Sequence, residues 1–146
     1  MKILVIDDSP KHLASAKILE QNGHEVTCTD SYMEGVRLVQ LGGFDAVLAD
    51  LLMPAEEFQL GGEGLSFFGH ETPIGFAFAL IAAQAGISKV AVVTDTNHHH
   101  HPMSAAIDWV KKPLVVNGST VQFMHAVLNE DGSKNWEHAL KILFSI

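Results

Sequence analysis

Asp45-Ala46-Val47-Leu48-Ala49-Asp50-Leu51-Leu52-Met53-Pro54 is the stretch whose reading decides the fold. Residues 46–49 form an unbroken apolar run that stops at a carboxylate, as expected of a strand covered on both faces. A second run of this kind, Lys2-Ile3-Leu4-Val5-Ile6, stops at Asp7-Asp8. As parallel neighbours in one sheet, the two strands bring three carboxylates to one edge. Clustered carboxylates repel and raise one another's pKa values unless a cation sits among them. An all-oxygen donor set suits a hard divalent ion, Mg2+ above all. The expected centre is a Mg2+ site on Asp7, Asp8 and Asp50.

The grammar on either side of these strands is β-α-β-α-β. Ser9-Pro10 opens a helix that runs to Asn22 and stops at Gly23. Glu25-Val26-Thr27-Cys28-Thr29 alternates like an edge strand, with Cys28 on its inner face as a core thiol. Ser31 and Glu34 form a capping box for a second helix, ended by Gly42-Gly43. Lys89 to Val93 is a fourth buried strand, closed by Thr94-Asp95, and Ala105 to Pro113 holds a turn and a fifth. The predicted architecture is α/β: a doubly wound, flavodoxin-like five-stranded parallel sheet in order 2-1-3-4-5, with helices on both faces.

Three segments depart from that grammar. Residues 55–71 form a long insertion loop rich in Gly, Glu and Phe. Residues 115–130 read as a hairpin-like insertion after Pro113, with Asn117-Gly118 as its turn. Ile74 to Ala85 is a helix apolar on nearly every face, so Phe76, Phe78, Leu80 and Ile81 cannot all meet the sheet. The expected cover is the preceding loop (Phe58 and the Phe67-Phe68 pair), with a second copy of the chain as the alternative. The chain is thus read as a monomer or a homodimer. Ser133 caps a last helix with a stripe of Trp136, Leu140, Leu143 and Phe144.

Bulk properties narrow the function. The 146 residues suit a single domain spanning 1–146. A formal net charge of −8 argues against general affinity for nucleic acid or an anionic membrane. A single cysteine excludes an internal disulfide and fits a reducing compartment. The N-terminus is too acidic for a signal peptide, and no apolar run is long enough to span a bilayer. The expectation is a cytoplasmic protein.

Taken together, Asp7-Asp8, Asp50-Leu51-Leu52-Met53-Pro54, Thr94 after an aliphatic strand, and Lys112-Pro113 resemble the receiver domain of two-component response regulators (CheY-like). Trp109 stands near that lysine, where the family carries a switching aromatic. The resemblance implies that Asp50 accepts a phosphoryl group, forming an acyl phosphate. It implies Mg2+ on Asp7, Asp8 and Asp50, a point charge from Lys112, and a phosphate-sensing hydrogen bond from Thr94. The implied partners are a histidine kinase or phosphotransfer protein and an unknown downstream protein. With no output domain following, the expected form is a stand-alone receiver. The chain also departs from the family: residues 55–71 enlarge the loop beside Asp50, the interval from Thr94 to Lys112 is short, and Asp95 replaces a small residue.

Two other readings stay open. One is a pseudo-receiver that signals by protein contact without phosphate. The other is a metal-dependent hydrolase using Asp8, Asp50 and the His98-His99-His100-His101 loop. Within that loop, His98, His100 and His101 are candidate transition-metal ligands, since imidazole suits Zn, Cu and Ni.

Overall fold

The structure is a computed structural model that describes residues 1–57 and 66–145. Phe58 lies outside the described residues. Strands β1 (Lys2–Ile6), β2 (Glu25–Thr29) and β3 (Ala46–Asp50) alternate with helices α1 (Pro10–Ser15), α2 (Lys17–Gln21) and α3 (Tyr32–Leu41). The ribbon β4 (Met53–Pro54) and β5 (Glu71–Thr72) is followed by α4 (Ile74–Gln84) and β6 (Lys89–Thr94). The chain then runs through α5 (Pro102–Ala106), a 3-10 turn (Ile107–Trp109), β7 (Leu114–Val116), β8 (Ser119–His125) and α6 (Trp136–Phe144).

The main sheet has the order β2-β1-β3-β6-β8-β7. Its first five strands are parallel, so the expected 2-1-3-4-5 order is present, with β6 and β8 as fourth and fifth strands. Alternate side chains point to opposite faces. Leu4, Ile6, Val47, Ala49, Val90, Val92, Val121 and Phe123 meet α3 and α4 on one face. Ile3, Val5, Ala46, Leu48, Ala91 and Val93 meet Leu19 of α2 and Trp136, Leu140 and Leu143 of α6 on the other. The expected first helix is divided at Ala16 into α1 and α2. Cys28 is exposed on the edge strand β2 and is not a core thiol.

The fifth strand is not where the sequence suggested. Within 105–113 the chain is helical as far as Trp109 and then an open turn, because Met103, Ile107 and Val110 recur at helical spacing and turn one face toward the core. His101 caps α5 by accepting from the Met103 amide through Nδ1 (3.1 Å), and Pro102 fits the first turn. The Asn117-Gly118 hairpin exists, with both residues at positive φ (50° and 82°) as a two-residue turn of this kind requires. Its second strand is β8 itself, so the hairpin completes the parallel sheet instead of being added to it. Its first strand, β7, lies antiparallel at the edge.

The chain leaves after β4 and returns at β5 through the antiparallel β4–β5 ribbon. Glu56 then reaches back to α3, where its carboxylate accepts from the amides of Tyr32 and Met33 and from Ser31 Oγ. Ser31 Oγ accepts from the Glu34 amide as expected, but Glu34 itself pairs with Arg37, so the Ser31 amide donates to Thr29 Oγ1 instead and Glu56 takes the next two amides. Phe67 and Phe68 are 56% and 59% exposed and do not anchor the loop over α4. The inner face of the apolar helix is buried, with Phe78, Ala79, Ala82 and Ala83 packed and Phe78 edge-on to Tyr32, while Phe76 and Leu80 are 41% and 43% exposed on the outer face. The outward Phe76 stacks on Phe123 at 5.7 Å. Among the described residues no helix is long and apolar enough to cross a membrane.

Candidate functional site

Parallel pairing of Ile6 with Ala49, and of Asp50 with Val93, sets the ends of β1, β3 and β6 side by side. The sheet order reverses between β1 and β3, where ligands of doubly wound folds collect. Asp7, Asp8 and Asp50 meet there, with one carboxylate oxygen of each within 4.8 Å of the others. Asp7 is fully buried, Asp50 is 5% exposed, and Asp8 stands at the open side. They line a cleft of about 210 Å3 together with Ser9, His12, Leu52, Glu71, Asp95 and Thr96. Glu71 brings the 55–71 segment to the rim. Glu56, Glu57, Phe68 and Gly69 wall an adjoining cleft that also reaches Asp8.

The cation among these carboxylates is Lys134. Its Nζ is 2.6 Å from Asp7 Oδ2, 2.7 Å from Asp50 Oδ1 and 3.5 Å from Asp95 Oδ1. The side chain is fully buried, and the ammonium lies over the Trp136 ring. Lys112, the lysine expected here, is exposed in the turn before β7 and has no ion pair among the described residues. The reason is the shifted strand: the lysine that follows the true fifth strand is Lys134. After β8 the chain makes a tight turn closed by Asp131 and Ser133, whose partners are 2.6 to 2.8 Å apart. That turn returns residue 134 to the strand ends just before α6, which Asn135 caps in place of the expected Ser133.

His12 holds this lysine segment in place. Its Nδ1 accepts from the Lys134 amide (3.2 Å), which leaves the proton on Nε2 to donate to Asp95 Oδ2 (3.1 Å). The His12 carbonyl accepts from Trp136 Nε1 (2.7 Å), and Ser15 Oγ donates to the Lys134 carbonyl (2.9 Å). Asp95, which resembled an intrusive extra charge, is thus a partner of both His12 and Lys134. Neither His12 nor Lys134 stood out in the sequence; the cue for Lys134 was its place between an alternating strand and a helix cap.

The electrostatics follow from this layout. Burial pushes Asp50 up to about 7; Lys134 opposes the shift and Asp7 adds to it. Partial burial and Asp7 also raise Asp8. For Lys134, burial works against the charged form, but Asp50 and Asp7 outweigh it and raise the pKa. Asp95 is lowered because Lys134 and His12 outweigh its partial burial. Four carboxylates therefore share one buried ammonium, and Asp8 carries the least compensated charge. The remaining oxygens suit a hard cation.

The other expected residues are scattered. Thr94 is fully buried at the end of β6, with its hydroxyl accepting from the Thr96 amide. Trp109 is 87% exposed on the 3-10 turn. His98 pairs with Asp108, His100 is exposed in a turn, and His101 serves as the cap of α5. His98, His100 and His101 do not converge on one another. Nor do the histidines join Asp8 and Asp50: among the described residues the acidic group and the histidine group are separate clusters. That removes the geometric basis of the hydrolase reading.

No protein-family model and no curated protein matches the chain in sequence. Solved structures do match. A CheY-like receiver domain from Methanospirillum hungatei is 18% identical at TM-score 0.61, with 99% of this chain and 94% of that one covered. A receiver domain from Clostridium thermocellum is 22% identical at TM-score 0.59, with the same coverage. The response regulator TrrA of Thermotoga maritima, in complex with Mg2+ and BeF, is 19% identical at TM-score 0.57, with 97% of each chain covered. At these identities the likeness shows the fold, which matches over nearly the whole chain: this protein has the CheY-like response-regulator receiver fold.

Proposed function

We propose that this chain is a Mg2+-dependent phosphoacceptor, which takes a phosphoryl group on Asp50 from a histidine kinase or phosphotransfer protein and passes the signal to a downstream protein. The observation that carries this reading is the buried Asp7–Lys134–Asp50 ion pair beside the more open Asp8, at the strand ends where the receiver fold places its chemistry. A lone structural salt bridge would not need the two further carboxylates, Asp8 and Asp95. Asp7, Asp8 and Asp50 would hold the ion, which when bound would neutralise charge on the transferring group. Asp50 would attack phosphorus, forming the acyl phosphate bond as the bond to the donor histidine nitrogen breaks. Lys134 would supply the point charge that the family resemblance assigns to Lys112. Thr94 would exchange its contact with the Thr96 amide for one to the phosphoryl group, drawing the segment after β6 inward. A cytoplasmic location belongs to the same reading.

The pseudo-receiver reading is favoured by one observation: Lys134 already neutralises Asp7 and Asp50, leaving Asp50 buried. Incubation with a small phosphodonor and Mg2+ separates the two. One phosphoryl group labile to base and hydroxylamine should be added, and Asp50→Asn should abolish it. An unlabelled parent favours the pseudo-receiver; labelling that survives the substitution rules out Asp50. The nucleophile must be ionised, so without metal Asp50 is largely protonated below about 7, and rising Mg2+ should shift the fall in rate to lower pH. Stability runs the other way. With the folded value raised from 3.8 to about 7, Asp50 favours the folded state below the lower value, and this contribution is lost as pH rises through the upper one.

A further inference from the structure

We propose that His98, Asp108 and His125 form a second metal site, for a borderline transition-metal ion of the Zn2+ class and distinct from the acidic cleft. The three residues come from the segment after β6, the 3-10 turn and the end of β8. Asp108 stands between the two imidazoles: its Oδ2 is 3.0 Å from His98 Nδ1 and its Oδ1 is 2.7 Å from His125 Nε2. One donor atom from each residue lies within 4.8 Å of the others. A tetrahedral ion with bonds of about 2.0–2.1 Å separates its ligands by roughly 3.3 Å, so a small outward adjustment of side chains admits it. All three side chains are 40–44% exposed, which leaves an entry path and room for a water as fourth ligand.

The chemistry separates this site from the acidic one. Two imidazoles and a carboxylate suit Zn2+, Ni2+ or Cu2+, whereas the all-oxygen cleft suits Mg2+. The surroundings support the metal as well. With Nδ1 of His98 on the ion, its remaining proton must sit on Nε2, and that atom is 2.9 Å from His99 Nε2. A ligating histidine normally donates its other N–H to an acceptor that fixes ring and tautomer, and the neutral His99 imidazole can accept it here. His99 is therefore a positioning residue, and the histidine run contributes one ligand and one support instead of the three ligands that its sequence suggested. Bound metal would tie the 98–108 connection to β8 at His125, the residue paired in register with Thr94.

The experiment uses the full chain without an affinity tag, stripped by chelator and titrated with Zn2+, and with Co2+ as a spectroscopic probe. The expected result is one ion per chain, retained in excess Mg2+, with absorption typical of low-coordinate Co2+ and a higher thermal midpoint. His125→Gln and Asp108→Asn should each lower affinity at least 10-fold and abolish the midpoint shift. His99→Gln should lower affinity by roughly 10–100-fold. His100→Gln should leave it unchanged. Thermal unfolding without metal checks that each variant folds; the exposed positions make that the expectation. Binding that survives both His125→Gln and Asp108→Asn but vanishes when residues 98–101 all become serine would assign it to the histidine run and overturn the site. An absence of stoichiometric binding, or displacement by Mg2+, would equally overturn it.

Discussion

Residues 1–54 and residues 95–145 contribute to the same cleft by different routes. In the first segment, strand, helix and strand follow in order, and each carboxylate sits one step past an apolar run: Asp7 after Ile6, Asp50 after Ala49. In the second segment, a short helix replaces the expected strand, the fifth parallel strand arrives as the second arm of a hairpin, and the lysine comes nine positions after it. A carboxylate at a strand end is placed by the strand's own register. The counter-charge is placed by a turn, a histidine and a helix cap acting together. Chemistry that needs a charge at a point can therefore be kept while the path to that point is rebuilt.

The largest effect expected from breaking this comparison is at the two lysines. Lys134→Met should cost about 3–5 kcal/mol, because Asp7 and Asp50 are left buried without a cation. Saturating Mg2+ should restore part of that loss. Lys112→Met should leave the denaturation midpoint unchanged. Equal sensitivity at the two positions in urea titrations would contradict the placement of the ion pair.

A smaller effect is expected where the two segments are spaced by α4. A Cβ at Gly75 would lie 2.0 Å from the Asp50 carbonyl oxygen and 2.8 Å from Leu51 Cα, both backbone atoms. Gly75→Ala should cost about 1–3 kcal/mol by overpacking and slow phosphoryl transfer by displacing Asp50. Gly35→Ala meets mainly the end of the Ile6 side chain and should be milder. A Gly75→Ala protein with parental stability and labelling rate would show that α4 does not set the position of β3.

The smallest effect is expected in the 55–71 segment. Phe67→Ala with Phe68→Ala should change stability by no more than about 0.5 kcal/mol, since both rings are more than half exposed. Glu56→Ala should cost more, because three donors at the start of α3 lose their acceptor. A large loss in the double phenylalanine variant, with dye-binding surface exposed, would restore the loop as the cover of α4.

Much of the architecture was legible because it rests on short-range pattern. Apolar runs of strand length, the Asn117-Gly118 turn, the Gly23 stop and the Ser31 cap each report local backbone geometry, and each is present. So was the acidic trio, since carboxylates at the ends of adjacent parallel strands meet by register alone. The segment 105–113 misled because few residues separate strand from helix there: its apolar residues fit both periods, and only the core decided between them. For α4 the spread of Phe76, Phe78, Leu80 and Ile81 around the axis was legible, since Phe78 is buried while Phe76 and Leu80 face outward, but the cover expected from Phe67 and Phe68 was not.

What the sequence by itself determined is the parallel βαβ framework and the acidic edge of the sheet, because both depend on periodicity within a few residues. Tertiary structure alone decided which lysine neutralises that edge, that His12 and Asp95 hold it there, and that His98 meets Asp108 and His125 instead of its own neighbours. These contacts join residues far apart in the chain, and nothing in local pattern carries them. A buried charge takes whichever partner the folded backbone brings within reach, because leaving it unpaired costs more than any local preference.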